Sequence, residues 1–212
     1  MKTFKHSKDL TILILLIIAL VVLVLSYHAY WYRIEDKDLG CTIYLKYSGQ
    51  KVVTKGEHII TNWDNEQEDI KSIFIVCLIC GVIGWTCIII LLLSQFANLF
   101  ISSKSNRFLM NICSRVISFI TIAFLLISIL YFLNLPDTYA DWSGKKFNFI
   151  QITDSIHTYP YVGWIFVCLS LITVMGSTIL LFVSNSKQKK PKTIFNTFET
   201  VQQPLLSTDP LF

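Results

Sequence analysis

The chain has 212 residues, of which 53% are hydrophobic and only 15% charged, with a mean hydropathy of +0.57. Soluble domains carry roughly a quarter charged residues, so the composition excludes an ordinary cytosolic protein. The net charge of +4 comes from basic clusters beside apolar tracts, with no basic stripe interleaved with aromatics, which argues against nucleic acid as a partner.

The charges are absent from four tracts: between Asp9 and Arg33, Lys71 and Lys104, Arg115 and Asp137, and Asp154 and Lys187. A hydrocarbon core of roughly 30 Å is crossed by about 20 apolar residues at a rise of 1.5 Å each. The sequence therefore predicts an integral membrane protein, mainly α, built as a four-transmembrane-helix bundle. The expected spans are residues 10–32, 72–101, 116–135, with room for a helical lead-in from Phe108, and 161–184. They separate a short N-terminus (1–9), a first outer loop (33–71), an inner link (102–115), a second outer loop (136–160) and a flexible tail (185–212). Lys2, Lys5 and Lys8, then Lys104, Arg107 and Arg115, then Lys187, Lys189, Lys190 and Lys192 flank the spans on one side, which the positive-inside bias assigns to the cytoplasm. Both termini are expected inside, in a plasma or endolysosomal membrane.

The first span ends in Tyr27, Tyr30, Trp31 and Tyr32, which read as an interfacial aromatic belt. The basic start also suits a signal peptide, but bulky Tyr and His follow Leu25 where cleavage needs small residues, so an uncleaved anchor is expected. In the first outer loop, residues 41–47, 51–54 and 58–63 show two-residue alternation or β-rich runs separated by turns at Gly49 and Gly56, predicting a three-stranded meander. The second outer loop offers one comparable segment, residues 146–153, which is expected to pair with an edge of that meander and give one small extracellular or lumenal sheet.

In the second span Cys77 and Cys80 spell CxxC, but no basic neighbour favours a thiolate and no second pair completes a zinc site, so they read as packing residues, as do Cys87 and Cys168. Gly81 and Gly84 in this span, with Gly176 in the fourth, are spaced for close helix packing. Gln95 and Asn98 suit interhelical hydrogen bonds or headgroup contacts. Cys113, beside Arg115, is a candidate for S-acylation. Cys41, the sole cysteine of either outer loop, is a candidate for an intermolecular disulfide. His6, His28, His58 and His157 form no i, i+4 pair, and no nucleophile elbow, phosphate loop or intramembrane carboxylate pair occurs. No enzyme activity, metal or cofactor is expected. In the tail, Glu199 followed by Leu205 and Leu206 resembles an acidic dileucine sorting signal of the kind clathrin adaptors read, with the acid farther upstream than usual.

Trp31 at the exit of the first span, Asp38-Leu39-Gly40-Cys41 in the first outer loop, and Gly163-Trp164 at the start of the fourth span give the layout a resemblance to the claudin and peripheral myelin protein superfamily of tetraspan proteins. The resemblance covers most of residues 10–184 and is one of layout. It implies a small sheet shared by the two outer loops and a role in adhesion or as an accessory subunit. The superfamily's paired cysteine and its Gly-Leu-Trp tripeptide are missing, so a sheet-pinning disulfide within the chain cannot form. The expected function is noncatalytic protein–protein interaction through the outer loops with other membrane proteins, or with further copies of the chain as a homo-oligomer. A small oligomeric channel or transporter and an endosomal trafficking protein are the alternatives. The absence of ionisable residues from the middle of each span counts against ion-coupled transport.

Overall fold

A computed structural model describes residues 2–186, apart from 56, 64–66, 102–103 and 146–147. It is mainly helical, with a small antiparallel sheet at one end. Helices α1 (Lys2–His28), α2 (Glu68–Phe100), α3 (Lys104–Phe132) and α5 (Val162–Ser186) pack side by side, and a short α4 (Leu135–Ser143) follows α3. By length and composition, four helices can cross a membrane; α3 and α4 count together as one such stretch. Glu68 and Asp69 in the first turn of α2 complement its positive end. The α3 ladder stops where Pro136 has no N–H to continue it and its ring would meet the Phe132 carbonyl. α4 stops at Gly144, whose left-handed φ of +70° lets its N–H cap Ala140 O at 2.8 Å.

The helix limits differ from those expected. α1 ends at His28, three residues before Trp31, and α3 begins at Lys104, four residues before the lead-in at Phe108, so Arg107 as well as Cys113 and Arg115 lies inside a helix. The aromatic belt also needs correction: Trp31 is 2% exposed and Tyr32 fully buried, because the chain leaves α1 and turns directly into the sheet at Tyr32.

The sheet has six strands in the order β4-β3-β2-β1-β6-β5, all neighbours antiparallel: β1 (Tyr32–Asp36), β2 (Cys41–Lys46), β3 (Gly49–Thr54), β4 (Glu57–Thr61), β5 (Gln151–Ile152) and β6 (Ile156–Pro160). The meander β2-β3-β4 lies where alternation predicts it. The fourth expected strand, residues 146–153, is corrected: only Gln151 and Ile152 are strand, Asn148–Ile150 are not, and Lys146 and Phe147 fall outside the described residues. The segment that joins the second loop to the first is β6, and it pairs with β1 and not with an edge of the meander. Pro160 ends β6 past Thr158, the last residue paired with β5, where its missing N–H costs no ladder bond.

Tyr32, Ile34 and Asp36 alternate buried with half-buried Arg33 and Glu35, so β1 turns one face of the sheet toward the helices. Beneath that near face lies an aromatic junction. Trp31 packs edge-on to Phe132 and Phe74 at centroid distances of 5.2 and 6.3 Å, Trp63 stacks on Phe74 at 5.5 Å, and Phe149 touches Tyr32 and Trp164. Offset and edge-to-face rings of this kind stabilise beyond their buried area. The Trp31 indole N–H donates to Ser26 O at 2.8 Å, satisfying a carbonyl in the last turn of α1.

Gly163, in the first turn of α5, lies directly against this indole; a Cβ there would collide with Trp31 Cδ1 and approach Nε1 to 2.8 Å. Its N–H donates to Tyr30 O, fixing the two segments at backbone distance. Gly163→Ala is therefore expected to destabilise the fold by about 1–3 kcal/mol through overpacking. An unchanged thermal midpoint for the purified variant would show that the junction can yield.

Candidate functional site

The residues singled out in the sequence are dispersed. Cys41 opens β2, half-buried, opposite Asp36. Burial first, and then the neighbouring Asp36 carboxylate, push its thiol above the ordinary range, so it is no activated nucleophile. Cys113 is exposed on α3. Cys77 is buried in α2, where its Sγ donates to Ser128 O of α3 at 3.3 Å. All six cysteines are free thiols.

The three glycines differ. A Cβ at Gly81 would run into the Tyr27 hydroxyl of α1, and one at Gly84 would press on Leu125 of α3 at 3.1 Å. At Gly176 it would meet only Leu15 at 4.0 Å, an ordinary contact that requires no glycine. Gln95 and Asn98 of α2 bond Ser114 and Asn111 of α3 at 3.1 and 3.2 Å. Glu199, Leu205 and Leu206 lie outside the described residues. Among the described residues no group of His, Cys, Asp and Glu is placed to hold a metal ion.

Two features near the sheet were not read from the sequence. The first is on its far face, opposite Tyr32 and Ile34. Register sets Arg33 of β1 between Tyr44 of β2 and Tyr159 of β6, and the guanidinium lies 5.5 and 5.4 Å from their ring centroids. Arg33 also pairs with Glu35 at 3.0 Å, while its Nε, buried, has no partner. Tyr44 continues the array to Tyr30 and Tyr161, both at 5.5 Å, and Lys46 lies over the Tyr30 ring at 5.3 Å. The half-exposed tyrosine rings and the cations over them make this face of the sheet amphipathic. Beside it, β4 is exposed along its whole length, with Ile59 and Ile60 each more than 60% exposed.

The second feature ties the two loops together at the other end of β1. Asp36, 7% exposed, accepts from the Leu39 N–H at 3.0 Å and from the Lys145 ammonium at 2.7 Å. Lys145, and after it the Leu39 N–H, holds the Asp36 carboxyl below the usual carboxylate range. Lys37 N–H adds a bond to Ser155 O. On the near face, the Tyr32 hydroxyl donates to Phe149 O at 2.7 Å, and burial pushes this phenol up to about 12.

No protein-family model matches the chain, and comparison with curated proteins gives no match.

The Asp36–Lys145 contact carries a pH signature. A carboxyl whose folded pKa is lowered contributes stability that is complete above its unfolded value, near about 3.9, and is lost as pH falls through the folded value. Lys145→Gln is expected to lower the thermal midpoint at about pH 6, with the gap to the wild type closing toward about pH 2 and narrowing in high salt, because Lys145 is half-exposed. A gap that is constant with pH would place the effect elsewhere than in this pair.

Proposed function

We propose that this chain is a noncatalytic multi-pass membrane protein, claudin-like in layout, that works by protein–protein contact through its sheet-bearing end, either in adhesion or as an accessory subunit of a membrane complex. The observation that carries this reading is the division of its surface. Along the helices the outward side chains are large and apolar: Ile14, Ile17 and Val21 of α1, Ile79 and Leu93 of α2, Phe119 and Leu130 of α3, and Ile172 and Ile179 of α5 are all more than 45% exposed. Soluble monomers rarely expose contiguous apolar patches beyond about 600 Å², whereas acyl chains cover such a surface without cost. The sheet end is different in kind, with the tyrosine and cation array of Arg33, Tyr44, Tyr159 and Lys46 and the open β4 edge.

The basic clusters support an orientation with both termini in the cytoplasm and the sheet on the opposite side. In that orientation the tyrosine surface faces an outside or lumenal partner. Tyrosine and arginine are the side chains most enriched among residues that dominate protein interfaces. Gln95 and Asn98, the polar side chains toward one end of α2, hydrogen-bond Ser114 and Asn111 of α3, which favours an interaction protein over a pore.

Topology and function are tested together in cells. In a Cys41→Ser, Cys113→Ser background, a cysteine at Lys55 is expected to react with a membrane-impermeant maleimide on intact cells or sealed inverted organelles, and one at Asn106 only from the opposite side. Proximity labelling from the sheet end is expected to return a recurrent membrane protein that is lost in the Arg33→Ala, Tyr44→Ala double variant. Labelling of both cysteines from one side would overturn the topology. Conductance of the purified protein in liposomes, with no recurrent neighbour, would overturn the interaction reading.

A further inference from the structure

We propose that β4 is a self-association edge, at which a second copy of the chain adds its own β4 antiparallel, across a two-fold axis through Ile59, so that one sheet continues into the other. β4 ends the strand order on one side, and all five of its residues are exposed. The opposite edge is blunted by its brevity, since β5 has only two residues, whereas β4 carries Ile59 and Ile60 in the open. Edges that stay unpaired are ordinarily shortened, bulged or charged. A longer apolar edge is a place where a further strand is added.

That the added strand is another β4 follows from the register. Thr54 pairs with Glu57 although only two residues separate them, so Glu57, Ile59 and Thr61 direct their backbone groups to β3. His58 and Ile60 therefore turn their N–H and C=O groups outward. A two-fold axis through Ile59 sets His58 of each copy opposite Ile60 of the other, and residues so placed exchange both N–H···O bonds. Moving the axis to His58 or Ile60 shortens the overlap and sets Ile59 opposite Glu57 or Thr61.

The side chains favour the same axis. Ile34, Ile43, Val52 and Ile59 form one row across β1, β2, β3 and β4 on the near face. Exposure along it rises from 5% at Ile34, through half-buried Ile43 and Val52, to 62% at Ile59, so an apolar row that begins in the core runs open off the edge. Across the axis Ile59 meets Ile59 of the second copy in the closer, non-hydrogen-bonded kind of pair, and the two rows become one. Glu57 comes opposite Thr61, so no like charges face each other. The contact needs only the sheet edge and does not depend on the reading of the tyrosine surface, which draws on β1, β2 and β6.

The test uses the full chain, first in isolated membranes and then in detergent. In the Cys41→Ser, Cys113→Ser background, Ile59→Cys is expected to give a covalent dimer of twice the chain's mass on oxidation with copper phenanthroline, because the paired Cβ atoms stand about 5 Å apart. Val52→Cys is the control: on the same face but one strand inward, it lies about 14 Å from its counterpart, beyond the reach of a disulfide. In detergent, native mass spectrometry of the wild-type chain is expected to show a dimer that Ile59→Lys, by setting two ammonium groups on the axis, weakens at least about tenfold. Ile60→Pro, which removes an outward N–H that β3 does not use, serves in its place if Ile59→Lys loses the wild-type thermal midpoint. The proposal is overturned if Ile59→Cys gives no covalent dimer, if Val52→Cys cross-links as readily, if the cross-linked product has another mass, or if the folded variant dimerises as the wild type does.

Discussion

The structure depends on one residue at the boundary between helices and sheet. Trp31 donates its indole N–H to Ser26 O in the last turn of α1, its main-chain N–H to Leu45 O of β2, and accepts the Tyr161 N–H at its own carbonyl. Its ring then fills the space between Phe74 of α2, Phe132 of α3 and the backbone of α5 at Gly163. Four helices and the sheet thus meet on one residue. A large aromatic suits this place because it presents wide apolar faces to several elements while its single polar atom satisfies an otherwise open helix carbonyl. A smaller residue leaves both a cavity and an unpaired acceptor. Cys77 and Ser128, which exchange hydrogen bonds one level down, extend the same connection into the α2–α3 interface.

Much of this arrangement is legible in the sequence, and what is not has physical causes. Charge-free tracts mark the helices because their outward and inward faces are both apolar. Alternation marks β2, β3 and β4. It fails for β1, where Arg33, Glu35 and Asp36 look like solvated loop charges; in the fold Arg33 pairs Glu35 on one face and Asp36 meets Lys145 on the other. It fails for β6 because His157 and Pro160 read as loop residues, whereas Pro160 sits where no ladder bond is needed. The tyrosine array draws on β1, β2 and β6. It has no local signature, since it exists only once distant segments are brought together. Cys41, conspicuous in the sequence, occupies a sheltered place opposite Asp36.

On the proposed reading, the two ends of the molecule divide the work. The helix exterior is generic, apolar and suited to lipid. Recognition is concentrated where the chain is least apolar, at the tyrosines and cations on the far face of the sheet. The tyrosine surface is suited to a folded partner.

The strand order also dictates when the sheet can be finished. β2, β3 and β4 pair with neighbours a few residues away and can form as soon as the first loop is made. β1 has one early partner, but its other, β6, lies more than a hundred residues later, with Tyr32 facing Pro160. Contacts of such separation form slowly. Until β6 arrives, β1 is an open edge carrying unpaired amide and carbonyl groups, the kind of edge that invites pairing with another chain. The central strand of the mature sheet is therefore the exposed edge of the nascent one, and the molecule passes through its most association-prone state while its fourth long helix is still being made.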